Sequence, residues 1–189
     1  MNLNRRRHWE ERHRDGKPSA PEPSLTEVMP MLPRGVALDI ASGLGRHAIA
    51  LAEAGHQVVA ADYSAVAASK LQKIADERHL AIYPVIADIE ETFPFWPASF
   101  DTVINLSFLN RELVPRLIGA VRFGGMLLFD TFLIDQPATG HPDNPAFLLR
   151  HGELREMLSA MELLRYREGV VTYPGGNKAW RAMALARRS

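Results

Sequence analysis

Short apolar runs recur along this chain, and most are separated by a stretch with helical spacing. "VALDI" (36–40), "QVVAAD" (57–62), "AIYPVIADI" (81–89), "FDTVINLSF" (100–108) and "GMLLFDTFLI" (125–134) read as strands. Between them, "LGRHAIALAEAG" (44–55) sets Leu44, Ala48, Leu51 and Ala52 at helical spacing and stops at Gly55. Ser64 suits the cap of a helix running to about His79, and Pro115 the first turn of a helix ending at "FGG" (123–125). "GELREMLSAM" (152–161) is a further helix. Alternation of this kind requires a mostly parallel sheet with helices on both faces. Pro84 assigns the third strand to a sheet edge, because proline cannot donate to a ladder. The last two strands, 162–171 and 179–188, have only "YPGGN" (173–177) between them and must be antiparallel.

Ahead of this pattern lie a polar helix (residues 1–16) with Trp9 as its one large apolar residue, and a proline-rich linker, "KPSAPEPS" (17–24). The expected organisation is therefore an N-terminal cap and linker over residues 1–33 and one α/β domain over 34–189. With 22 basic and 22 acidic residues the formal charge is zero, which argues against nonspecific attraction to nucleic acid or to a membrane surface. Arg5, Arg6 and Arg7 are a short basic run, read as a solvated terminus. The absence of cysteine excludes disulfides, thiolate metal sites and a cysteine nucleophile. No apolar run reaches the ~20 residues of a membrane span, and no signal-type segment opens the chain, so a cytoplasmic location is expected.

The chemistry concentrates in "LDIASGLGRHA" (38–48). Gly43, Gly45 and Ala48 satisfy the G-x-G-x-x-G/A pattern of a nucleotide-binding turn, a weak signal alone. Three carboxylates sharpen it. Asp39, Asp62 and Asp88 fall near the ends of successive strands, at the edge where open α/β sheets bind ligands. Asp62 follows Gly43 by 19 residues, the interval of a carboxylate that accepts from ribose hydroxyls, and reads as an exposed strand-end group. Asp88, with Ile89 beside it, suits an adenine ring. A pyrophosphate would be repelled by Asp39, whereas an ammonium or sulfonium would be attracted. S-adenosylmethionine (SAM) carries adenosine, a sulfonium and an amino-acid tail, and no phosphate.

At these residues the chain resembles the class I SAM-dependent methyltransferases. "ALDIASGLGRHAIALAEAGHQVVAADYS", "ADIEE", "FDTVINLSFL" and "FGGMLLFDTF" are similar to that family's successive motifs. "GRHAIALA", "NPAFLLRHGELREML", "RAMALARR" and the N-terminal "HWEERHRDG" resemble its tellurite-resistance and thiopurine-type branch. The resemblance implies a Rossmann-like, doubly wound seven-stranded sheet, order 3-2-1-4-5-7-6, with an antiparallel seventh strand. It also implies methyl transfer from SAM to a small-molecule acceptor, such as a thiol or chalcogen compound. Carried over by position, Asp39 lies near the methionine amino group, and Ala41, Gly43 and Gly45 form the cofactor turn. Asp62 takes the ribose hydroxyls, Tyr63 lies beside the adenosine, and Asp88 and Ile89 hold adenine. Asn105 faces the methionine portion, Arg12 meets the tail carboxylate, and Arg46 is either a ligand contact or a plain helix-terminal arginine.

The acceptor side departs from that branch. Where its members carry basic residues before the last strand, "TYPGGNKAW" offers only Lys178, so no catalytic residue is transferred and tellurite is disfavoured as acceptor. His141, His151, Asp130 and Asp135 are the candidate bases. His141 reads as an exposed loop residue and Trp96 as packing. His47 fits the site or solvent, and Tyr173 and Trp180 fit a pocket or the sheet. Two alternatives stand beside methyl transfer: a noncatalytic SAM-binding protein, and a nicotinamide-dependent oxidoreductase, which Asp39 opposes.

Overall fold

The computed structural model describes residues 3–189. It contains seven strands in the order β3-β2-β1-β4-β5-β7-β6. They are β1 (Val36–Ile40), β2 (Gln57–Asp62), β3 (Ile82–Ile86), β4 (Phe100–Leu106), β5 (Val121–Phe132), β6 (Glu162–Thr172) and β7 (Lys178–Arg187). β1 pairs in parallel with β2 and β4, β2 with β3, and β4 with β5. β7 is antiparallel to β5 and β6. This is the sheet expected from the sequence, with Pro84 on the edge strand.

Six helices cover it: α1 (Leu3–Arg14), α2 (Pro23–Val28), α3 (Arg46–Glu53), α4 (Ala65–Arg78), α5 (Val114–Ala120) and α6 (Glu153–Met157). Side-chain alternation along the strands sorts the interior into two layers. Leu38, Ile40, Val103, Leu127 and Phe129 pack with Leu117 and Leu154 of α5 and α6. Ala37, Val58, Ala60, Ile104, Leu128 and Leu185 pack on the opposite face with Leu25, Leu51 and Leu71 of α2, α3 and α4. The same parity puts Asp39, Asp62, Asp130 and Arg181 on the α2–α3–α4 face, all near the carboxyl rim of the sheet. Residues of opposite parity, such as Asn105, face the other layer.

Several elements differ from the sequence reading. α3 is shorter than 44–55 because the glycine turn extends through Gly45, whose φ is 82°. The helix expected to reach "FGG" ends at Ala120: a ladder irregularity between Phe100 and Thr102 lets β5 begin at Val121 and carry the glycines inside the strand. α6 occupies only part of 152–161. The proline-rich stretch is irregular only to Glu22; Pro23 opens α2, whose Leu25 and Val28 are buried. Trp96 is 82% exposed, and Phe93 and Phe95 pack in its place.

Gly45 is required twice over. Its left-handed backbone disfavours any side chain, and an added Cβ would collide with the Leu71 side chain of α4. Gly45→Ala is expected to lower stability by about 2–4 kcal/mol, combining backbone strain with overpacking. Denaturant midpoints check this; an unchanged midpoint contradicts the packing described.

Candidate functional site

The turn leaving β1 is built by a carboxylate from the next strand. Gly43 N–H donates to Asp62 Oδ2 at 2.7 Å, and Ser64 N–H donates to Asp62 Oδ1 at 2.8 Å. Ser42 N–H adds a bond to Ala61 O, and Gly45 N–H one to Ser42 O. Asp62 is thus not the exposed strand-end group expected. It is buried, and it holds the glycine turn against β2 while its carboxylate retains lone pairs for a ligand. Ala41 is left-handed, with φ 52°, and so is Ser107 just past β4, with φ 61°. Two strained non-glycine residues thus sit at the exits of neighbouring central strands, where strain commonly accompanies function.

Asp39 is fully buried beneath this turn, and neither carboxylate oxygen makes a well-formed hydrogen bond, the Ala48 amide interacting with it only weakly. Burial pushes its pKa up to about 8; the Asp62 charge adds to the shift, and the Ala48 amide and Arg46 oppose it. The group is therefore largely protonated at neutral pH, and a cation placed nearby would ionise it. Asn105, also buried, donates from Nδ2 to Phe108 O at 2.8 Å and leaves Oδ1 without a partner. Asp88 and Ile89 follow β3 in a turn tied to β2 by Ala87 N–H bonding to Asp62 O at 3.0 Å. Ile89 is buried in the α5–α6 layer, Asp88 is half-buried, and Tyr63 is half-buried next to Asp62.

α1 closes over this turn. Lys70 of α4 donates to His13 O, Arg14 O and Gly16 O, satisfying carbonyls at the end of α1. His13 Nε2 would lie 3.5 Å from a Cβ placed on Gly43, the one atom within 4 Å. Burial lowers the His13 pKa, with Asp62 opposing. A histidine in a polar helix gives no positional signal, so the sequence does not single it out. Arg12 is exposed and stacks on Trp9, with Cζ 5.2 Å from the ring centroid.

A second cluster lies toward β7. Glu22 Oε1 meets Arg46 Nη2 at 2.5 Å, Ser107 Oγ at 3.3 Å and Arg181 Nη1 at 3.9 Å, and Tyr173 OH donates to Glu22 Oε2 at 2.8 Å. Arg181 Nε bonds Asp130 Oδ1 at 2.7 Å, and its Nη2 reaches Ser107 Oγ at 2.9 Å. For Glu22, burial works against the charged form, but Arg181 and Arg46 outweigh it and the pKa is lowered. Burial raises the Asp130 pKa against the pull of Arg181. His47 is buried beside this cluster and falls to about 3, first through burial and then through Arg46. Arg46 is therefore an ion-pair partner of Glu22, and Tyr173 lines the cluster. Trp180 bonds Gln136 through its backbone. The signal for Arg181 was a single arginine inside the apolar run "AWRAMALA"; Glu22, between two prolines, had none.

Asp130, Asp135 and His151 are engaged. Asp130 is bound to Arg181. His151 lies between Asp135, 2.7 Å from Nε2, and Glu168, 3.0 Å from Nδ1, and the Glu168 bond leads the causes that raise its pKa. His141 stands in an exposed loop beside Asp143. Among the described residues no cluster of His, Asp and Glu could hold a metal ion, and no helix is long and apolar enough to cross a membrane.

Residues 37–122, from β1 to the start of β5, match the family described as a methyltransferase domain. No curated protein sequence matches the chain. Among solved structures, TehB from Haemophilus influenzae superposes with a TM-score of 0.77 at 22% identity, over 90% of this chain and 63% of that one. The chain thus spans under two thirds of TehB's length. A SAM-dependent methyltransferase from Methanosarcina mazei gives 0.71 at 18% identity, over 90% of this chain and 99% of its own. The 1,6-didemethyltoxoflavin-N1-methyltransferase of Burkholderia thailandensis, solved with S-adenosylhomocysteine, gives 0.65 at 19% identity, over 89% and 77%. These likenesses establish the Rossmann-like methyltransferase fold.

The pKa of Asp39 makes stability depend on pH. Folded Asp39 keeps its proton until about pH 8 while the unfolded chain loses it near the ordinary 3.8, so stability falls as pH rises through that window. Asp39→Asn is expected to match wild type near the lower end and to exceed it near the upper end by on the order of a few kcal/mol. Thermal or urea unfolding across pH checks this; a pH-independent difference contradicts it.

Proposed function

We propose that this protein binds SAM at the β1–α3 turn and transfers its methyl group to a small-molecule acceptor. The observation that carries the reading is the pair of buried carboxyl groups on one sheet face, Asp39 without a well-formed hydrogen bond and Asp62 bracing Gly43. A buried carboxyl group at this rim, which a nearby cation would ionise and stabilise, suits a cationic cofactor and gains nothing from a pyrophosphate, which separates the reading from a nicotinamide-dependent oxidoreductase. The match of residues 37–122 to a methyltransferase domain supports it.

The residues present fit such a cofactor. Asp39 and Asn105 have oxygens awaiting a donor, and the backbone at Gly43 is bare except for His13. Asp62 would accept from ribose hydroxyls while still holding Gly43 in place. Tyr63, Asp88 and Ile89 would bound the adenosine. Asp39 would balance the amino-acid ammonium through the turn, with Ala41, Gly43 and Gly45 allowing close approach and Asn105 facing the methionine portion. Residues 1–33 would act as a cap, with His13 over the turn and Arg12 and Arg46 on its edges. When bound, SAM supplies an electrophilic methyl group on a sulfonium, whose thioether leaving group needs no protonation.

Orientation is then the main task left to the chain. Asp130 is tied to Arg181 and His151 lies between two carboxylates that raise its pKa, so these candidate bases near the rim are engaged. This favours acceptors that arrive with a soft lone pair, thiols or chalcogen anions, over alcohols. It also aligns with the tellurite- and thiopurine-type branch, to which we assign the chain. One observation favours the alternative, cofactor binding without transfer: Glu22 fills the rim between α3 and β7 and is only 4% exposed.

Titration calorimetry with SAM, S-adenosylhomocysteine and NAD tests the reading. Binding of the first two without NAD is expected, together with methyl transfer to a thiol or selenite; NAD binding with no response to SAM contradicts it. Gly43→Ala meets no packing obstacle, so it should cost only about 1–2 kcal/mol of folding stability from its left-handed backbone. It should nonetheless weaken SAM at least tenfold. Asp62→Ala should lower both stability and SAM affinity, because two backbone amides lose their acceptor.

A further inference from the structure

Glu22 occupies the N-cap position of α2 yet caps nothing: its side chain makes no hydrogen bond to the helix amides. An acidic residue there ordinarily turns toward those amides. Here the carboxylate turns sideways into a pocket of four donors contributed by four separate elements. Arg46 comes from the start of α3, Ser107 from the exit of β4, Tyr173 from the turn after β6 and Arg181 from β7. The charges balance only while Glu22 is present. Arg46 and Arg181 face Glu22 and Asp130; with Glu22 withdrawn, one guanidinium charge stands uncompensated at a largely buried site. The segment that delivers Glu22, residues 17–22, has no regular structure, and Lys17, Ser19 and Ala20 are exposed.

We propose that Arg46, Ser107, Tyr173 and Arg181 form a carboxylate-binding pocket that Glu22 fills from within the chain, so that a ligand carboxylate must displace Glu22 to bind. The pocket already holds one carboxylate with its hydrogen bonds satisfied, and the ligand's group substitutes for it atom for atom. Glu22 thus sets a threshold for occupancy and couples it to release of the 17–22 segment. The carboxylate belongs either to the cofactor's amino-acid tail or to the acceptor; its relevance to catalysis rests on the reading of a SAM-dependent enzyme.

Acetate is the first probe, applied to the full chain. Glu22→Ala should gain a saturable rise in melting temperature with acetate, with chloride at equal ionic strength as control, and wild type should not. Glu22→Gln keeps the volume and the Tyr173 contact but removes the charge, which covers the case in which the alanine variant folds poorly. It should bind acetate at least tenfold more tightly than wild type. S-adenosylhomocysteine displacing that acetate, while 5′-methylthioadenosine does not, identifies the cofactor tail as the source; acetate retained in the ternary complex identifies the acceptor. In wild type, binding of whichever ligand these experiments identify, S-adenosylhomocysteine or the carboxylate-bearing acceptor, should speed amide exchange over residues 17–26. Acetate that binds neither variant, or exchange unchanged on occupancy, overturns the proposal. Failure of both adenosine ligands to bind any variant would instead sink the SAM reading, and the acetate results would still judge the pocket.

Discussion

A carboxyl group without a well-formed hydrogen bond, enclosed under the turn that leaves β1, is the constraint around which the rim is arranged. Asp39 is completely buried, and strand parity aims it at the α3 layer, not at solvent. Enclosing an ionised carboxylate without well-formed hydrogen bonds costs several kcal/mol, so the group stays largely protonated at neutral pH. Its position is then a standing preference for positive charge. The turn above it is braced by Asp62 and leaves the Gly43 backbone open except for His13.

The rest of the face follows from placing charge at the ends of buried strands. Asp130 on β5 and Arg181 on β7 lie diagonally across the antiparallel pair, two register positions apart, and neutralise each other at 2.7 Å. The N-terminal segment completes the arrangement: α1 sets His13 over Gly43, and Glu22 links Arg46 to Arg181 across the rim. The glycine turn and the β7 side are therefore electrostatically connected through a segment that precedes the sheet. Changes in that segment should be felt at both.

The strand pattern was readable because β1, β2 and β4 are continuous apolar runs buried on both faces, and because "YPGGN" permits only a hairpin. The glycine turn and the three acids were readable because two glycines closely following an apolar run, and acids near the ends of successive strands, stand out from the pattern around them. What escaped did so for physical reasons. The start of β5 is hidden because "FGG" looks like a helix stop, whereas a ladder irregularity absorbs it. The burial of Asp62 depends on backbone amides folding back onto it. The pairing of Glu22 with Tyr173 and Arg181 joins residues more than a hundred positions apart, and nothing local to "PEP" predicts it.

The most direct test of the account is proton release on SAM binding at pH 7, measured by calorimetry in buffers of different ionisation enthalpy. A cation settling beside Asp39 should expel its proton, giving a net release that disappears in Asp39→Asn. Binding of SAM with no proton exchange, or with the same exchange in that variant, would contradict the claim that this buried carboxyl group selects the cofactor's charge.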